Sequence, residues 1–195
     1  MTEYEQERGY WRALYAAAHD LTSTLEPSAV LARLARSAVE ALGAKACTLR
    51  LLEADGHTLS ASASYGLSDG YLRKGSVDVS HSSVDREALS GRTVRLSDVR
   101  TDPRFQYPEQ AAREGLVSLL CVPLMAHGQA IGILRIYTGA PKSFSPEEVE
   151  FLEAIASLGA IAVENARLYE RLEQDLNTTL DVLWGEPTEE VAAAQ

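Results

Sequence analysis

Residues 114–171, EGLVSLLCVPLMAHGQAIGILRIYTGAPKSFSPEEVEFLEAIASLGAIAVENARLYER, constrain the fold more than any other stretch. They read as two β-strands joined by a tight turn, then a short crossing and one long helix. Residues 116–125 are apolar enough to be buried on both faces, which places them in the middle of a sheet. His127 and Gly128 supply the turn. From 129 to 138 the chain alternates. Ile131, Ile133, Arg135 and Tyr137 point one way; Gly132, Leu134, Ile136 and Thr138 point the other. A glycine inside a strand, Gly132, implies that something packs close to it. Ser145 then opens the helix as its N-cap, with Pro146 in the first position and Glu148 closing a capping box.

This helix outruns a small domain. Phe151, Ile155, Leu158, Ala162, Asn165, Tyr169, Leu172, Leu176, Thr179 and Leu183 follow one another by alternating steps of four and three, a heptad seam. Ending near Trp184, the helix would be ~58 Å long at 1.5 Å per residue, so its second half needs a partner beyond the sheet. A first helix, from Thr2 to about Leu25 with Glu5 completing its capping box, offers a seam of Tyr4, Trp11, Leu14, Ala18, Leu21 and Leu25, with Glu7 as a polar member. The long helix either folds back on that seam or pairs with a second subunit. A parallel dimer is the favoured arrangement, with Leu14, Leu21, Leu158, Asn165, Tyr169, Leu172 and Leu176 at the interface and Asn165 fixing the register.

Between these helices, Pro27 starts a second helix that ends at Gly43 and carries the apolar face Val30, Leu31, Leu34, Ala35, Ala38, Val39 and Leu42. Residues 46–53 and 57–64 read as a hairpin about Asp55 and Gly56. From 65 to 113 the pattern is irregular, with short helices at 68–73, 83–90 and 108–114 and a strand at 93–96. A loop-rich region this long inside a compact domain builds a site.

Several stretches together resemble the GAF domain family of small-molecule-sensing signalling modules. They are the Val-Pro-Leu of 122–124, the Gly-x-x-Ile-Gly-x-Leu of 128–134, the Phe-Ser-x-Glu-Glu of 144–148, the Ala-x-x-Asn-Ala-x-Leu-Tyr of 162–169, and the Gly-Arg-x-Val and Asp-x-x-Thr-Asp-Pro-Arg-Phe within 91–105. The resemblance spans roughly residues 22–172. It implies an α+β sandwich with a central antiparallel sheet of five or six strands. The N- and C-terminal helices lie on one face and a loop-rich ligand lid on the other. The expected organisation is a packing and dimerisation helix at 1–26, the GAF domain at 27–172, and a helix extension with an acidic tail at 173–195.

If the Gly132 face meets the helices, Ile133, Arg135 and Tyr137 lie under the lid, together with Thr48, Arg50 and Leu52 of the first strand. A buried guanidinium needs an anionic or carbonyl partner. Arg50 and Arg135 are therefore candidates to bind an anionic ligand group, with Tyr65, Tyr137, His81 and Ser118 as wall residues. The alternative is an internal salt bridge to Asp85 or Asp98.

Other chemistries lack their residues. The four histidines show no zinc spacing, and neither H-E-x-x-H nor C-x-x-C occurs. Cys47 and Cys121 read as buried free thiols. No nucleophile–base pair is evident, so an enzyme is not expected, and no cofactor is named by the residues. The family's cyclic-nucleotide branch carries an Asn-Lys-x-Phe-Asp-Glu motif, whereas the asparagines here are Asn165 and Asn177. Its bilin and free-methionine-sulfoxide reductase branches need lid cysteines, which this chain lacks between Cys47 and Cys121. A net charge of -10 opposes nucleic acid and anionic membrane. With no leader-like N-terminus and no apolar run of ~18 residues, a cytoplasmic protein is expected. The reading is a non-covalent sensor that signals to a separate output protein, or a ligand-free dimerisation module.

Overall fold

A computed structural model describes residues 3–23, 26–73 and 75–184. The expected cap at Thr2, the seam residue Leu25, the tail from 185 onward, and the side chains of Tyr4 and Leu183 lie outside what it describes. Helices α1 (Glu3–Ser23) and α2 (Pro27–Leu42) lead into strands β1 (Ala46–Leu52) and β2 (Thr58–Tyr65). Then come α3 (Asp69–Leu72), β3 (Val77–Asp78), a 3-10 turn (Val79–His81), α4 (Ser83–Leu89), β4 (Val94–Leu96) and α5 (Pro108–Glu114). Strands β5 (Leu119–Ala126) and β6 (Gln129–Tyr137) precede the long α6 (Pro146–Trp184). The sheet has six strands in the order β3-β2-β1-β6-β5-β4, all pairs antiparallel. It is the expected α+β sandwich, with six strands rather than five. The pieces not foreseen are β3 and the 3-10 turn.

Local chemistry explains the central hairpin and the helix start. His127 and Gly128 both take positive φ, 50° and 79°, as a two-residue turn of right-handed strands requires. The Ser145 amide donates to Glu148 Oε2 (3.0 Å), and the Glu148 amide donates to Ser145 Oγ (3.3 Å), a reciprocal capping box. The close neighbour of Gly132 is not a helix. A Cβ there would lie 2.4 Å from the Arg50 carbonyl oxygen on β1, so glycine lets two central strands approach.

Two cores flank the sheet. On one face Cys47, Leu49, Leu120, Val122, Leu124, Leu134 and Ile136 meet Leu31 and Leu34 of α2 and Leu152 and Ile155 of α6. On the other, Ala46, Leu119, Cys121, Ile133 and Tyr137 meet Tyr71, Val84, Ala88 and Phe105 of the lid. Helix α1 packs along the first half of α6, with Tyr10 stacked on Phe151 at 4.6 Å between ring centroids. Among its described side chains Tyr10 and Ala17 are buried and Leu14 and Leu21 are partly buried on the same core, while Trp11 is 66% exposed and Ala18 faces solvent. The inward face of α1 thus keeps Leu14 and Leu21 of the seam read in the sequence and takes Tyr10 and Ala17 in place of Trp11 and Ala18. The α6 seam divides likewise. Phe151, Ile155 and Ala162 are buried in the chain's own core, whereas Tyr169, Leu172 and Leu176 are 49–59% exposed. Leu168 and Leu180 join that exposed stripe.

Candidate functional site

The lid face carries a cluster of buried polar side chains. Thr48, Arg135 and Cys121 sit in register across β1, β6 and β5, and Arg50 lies opposite Ile133, one step along on the same face. All four are at least nine-tenths buried. Helix α4 sits above them, capped by Ser82, whose Oγ accepts from the Asp85 amide at 3.4 Å. The cap places the Asp85 carboxylate, itself fully buried, on Arg135 Nη2 in a hydrogen-bonded ion pair. Arg135 Nη1 also donates to the Tyr137 hydroxyl (3.3 Å), and the Tyr71 ring stands edge-on to Tyr137 with centroids 6.4 Å apart.

Arg50 has different partners. Its Nη1 donates to two carbonyl oxygens, Leu59 on β2 (3.1 Å) and Gly75 in the lid (3.0 Å). Burial first, and the nearby Arg135 charge second, lower its pKa from the usual arginine value. For Arg135 burial is again the largest single influence and acts in the same direction, but Asp85, Tyr137 and Cys121 together outweigh it and the pKa is raised. Burial raises the Tyr71 phenol, so Tyr71 contributes a neutral hydroxyl. Two guanidiniums therefore face one carboxylate. Three buried polar atoms in this cluster have no hydrogen-bond partner: Thr48 Oγ1, Asp85 Oδ2 and Arg135 Nε. Such orphans are rare in folded proteins.

Of the residues singled out in the sequence, the structure brings together Arg50, Arg135 and Tyr137. Tyr65 is on the opposite face, paired with Cys47, with the Arg36 guanidinium 6.0 Å from its ring centroid. A bulge between Leu49 and Arg50 puts it there. His81 is exposed on the 3-10 turn, with Nδ1 3.4 Å from Asp78 Oδ2. Ser118 is buried, but its hydroxyl is occupied by backbone groups, donating to the Ser97 carbonyl (2.7 Å) and accepting from the Lys142 amide (2.9 Å). Of the two carboxylates weighed for the arginines, Asp85 makes the pair, while Asp98 is held by Arg100 at the surface. Tyr71 was missed, since nothing in its sequence neighbourhood separates it from a surface tyrosine of a short helix.

A family model described as GAF domain matches residues 26–163. The chain belongs to the GAF domain family. Solved structures agree on the fold. The GAF domain of a phosphoenolpyruvate-protein phosphotransferase from Coxiella burnetii superposes with a TM-score of 0.76 at 19% identity, covering 85% of this chain and 98% of that one. The corresponding domain from Acinetobacter gives 0.71 at 21% identity, with 86% and 97% covered. A free methionine-R-sulfoxide reductase from Neisseria meningitidis, in complex with its substrate, gives 0.68 at 20% identity, with 82% and 91% covered. No curated protein sequence matches the chain.

The lid face is packed with its own side chains, and among the described residues two cavities open along α1 and α6. One of about 590 Å³ is lined by Tyr10, Trp11, Leu14, Phe151 and acidic side chains including Glu147 and Glu150. A second, about 250 Å³, lies where Leu21 of α1 meets Ala162, Asn165 and Tyr169 of α6. No group of three or more His, Cys, Asp or Glu among the described residues is arranged to hold a metal ion. No described helix is long and apolar enough to cross a membrane.

Proposed function

We propose that this member of a family of regulatory and sensory signalling modules is a cytoplasmic, non-enzymatic sensor that binds a small anionic molecule non-covalently beneath the lid and reports it through a dimeric α6. The observation that carries this reading is the pair of buried arginines, Arg50 and Arg135, facing a single carboxylate on the sheet face that the lid covers. Tyr137, Tyr71 and Thr48 complete the wall. The domain proper is taken as residues 27–172, with 1–26 and 173–195 serving assembly and output to a separate protein. Nucleic acid and membrane are not partners in this reading.

Transmission would follow α6, whose N-terminal half packs on the sheet and whose second half exposes Tyr169, Leu172 and Leu176. A second subunit covering that stripe, beside Leu14, Leu21, Leu158 and Asn165, gives a seam that can hold two discrete arrangements. A ligand biases the two only by binding one better than the other.

The internal pairing of Arg135 with Asp85 favours a second reading, a ligand-free dimerisation module. Native mass spectrometry of protein purified gently from its own cells separates the two. A dimer carrying an added mass that is lost in Arg50→Met supports the sensor. A dimer with no added mass and no thermal response to a metabolite panel supports the module. A monomer removes the α6 route altogether.

A further inference from the structure

The Asp85–Arg135 pair is incomplete in a particular way. A guanidinium presents Nη2 and Nε as a two-pronged fork that a carboxylate fits with both oxygens. Asp85 takes only Nη2 with one oxygen, and Arg135 Nε and Asp85 Oδ2 are both left buried without partners. The carboxylate is tethered to a seven-residue helix whose Val84 and Ala88 are fully buried, so it cannot turn freely to close the second bond. Beside it the Thr48 hydroxyl, in register with Arg135, also has no partner. A free carboxylate has no tether. It can engage both prongs of the fork and accept from Thr48, satisfying two of the orphans at once.

We propose that the lid cluster is a site for the carboxylate of a small organic acid, and that Asp85 is a built-in stand-in that holds the place until the acid arrives. The inference rests on the sensor reading and adds its ligand class and its gate. Exchanging one carboxylate for another leaves the charge around Arg50 and Arg135 unchanged, so the swap exposes neither guanidinium. The incoming acid prevails because it makes hydrogen bonds that Asp85 leaves unmade. The displaced Asp85 no longer ties α4 to β6, and α4 is then held to the sheet only by packing such as that of Val84 and Ala88, so it moves away more readily. Lid movement and ligand binding are thus one event, the differential interaction that a switch requires.

Removing the stand-in tests this without knowing the natural acid. Asp85→Ala leaves Arg135 buried beside an empty carboxylate position and should lower Tm by about 10 °C. Sodium formate or acetate at 100 mM should then recover about 3 °C or more relative to equal sodium chloride. Recovery should vanish when Arg135→Met is added. No recovery by either acid beyond chloride, or recovery that survives Arg135→Met, overturns the proposal. Where Asp85→Ala does not fold, Asp85→Asn keeps the volume, and amide hydrogen exchange at residues 83–89 should be at least about ten-fold faster than in the wild type. Unchanged exchange there overturns the gate. Failure of formate and acetate, with wild-type protein still retaining a small molecule in native mass spectra, sinks this inference and leaves the sensor reading standing. Rescue in a protein whose wild type retains and binds nothing supports the carboxylate site and sinks the sensor.

Discussion

Leu134 and Arg135 are neighbours on β6, and both are buried, yet they belong to opposite kinds of interior. Leu134 joins Leu31, Leu34, Leu152 and Ile155 in an apolar core beneath the helices. Arg135 joins Arg50, Asp85 and Thr48 beneath the lid. Burying a leucine side chain contributes about 1.5–3 kcal/mol, whereas taking a charge out of water costs several kcal/mol that a partner must offset. The same sheet therefore has one face whose core is apolar and one whose apolar core also holds ionised groups at a cost. Specificity to a ligand can reside on the lid face, since groups that are expensive to bury and imperfectly paired gain most from a new partner.

A large loss is expected on the helix face. Leu134→Ala should lower the unfolding free energy by about 2–5 kcal/mol, read from the urea midpoint by circular dichroism. A loss under about 1 kcal/mol would mean that the helix face does not carry the stability assigned to it. On the lid face the expectation reverses. Arg135→Met alone strands Asp85 and should cost about 3–5 kcal/mol, but Arg135→Met with Asp85→Leu should range from neutral to about 1–4 kcal/mol more stable than wild type. A double variant as weak as the single one would mean that the ion pair is itself a pillar of the fold.

Much of this contrast was legible in the sequence because β6 alternates strictly. Once Gly132, Leu134 and Ile136 are assigned to the helices, Arg135 and Tyr137 have only the other face to occupy. Ser145 with Glu148, and His127 with Gly128, fixed the ends of α6 and the hairpin through local hydrogen bonding and backbone preference. What escaped was set by non-local geometry. From Leu52 opposite Leu59 and Arg50 opposite Ala61, an unbroken ladder would put Tyr65 under the lid. The bulge before Arg50 shifts the register by one residue and turns Tyr65 to the helices, and no residue type announces it. Asp85 was one of two carboxylates weighed for the arginines, and the cap at Ser82 orients the helix that carries it to the sheet while Arg100 holds Asp98. On α1, two adjacent aromatics, Tyr10 and Trp11, left open which of them turns inward.

The finest test uses two thiols the chain already has. Cys47 faces the helices and Cys121 faces the lid, both fully buried. Burial pushes the Cys121 thiol up to about 12 and the Cys47 thiol higher still, so neither supplies thiolate in the closed fold at pH 8. Labelling by iodoacetamide then reports opening events rather than intrinsic reactivity. A lid that opens without global unfolding exposes Cys121 alone, and peptide mass spectrometry should find it labelled at least about ten-fold faster than Cys47. A small organic acid that displaces Asp85 and loosens α4 should speed Cys121 and leave Cys47 unchanged. Equal rates at both cysteines would mean that the two faces open together, and the lid would lose the independence that a gate needs.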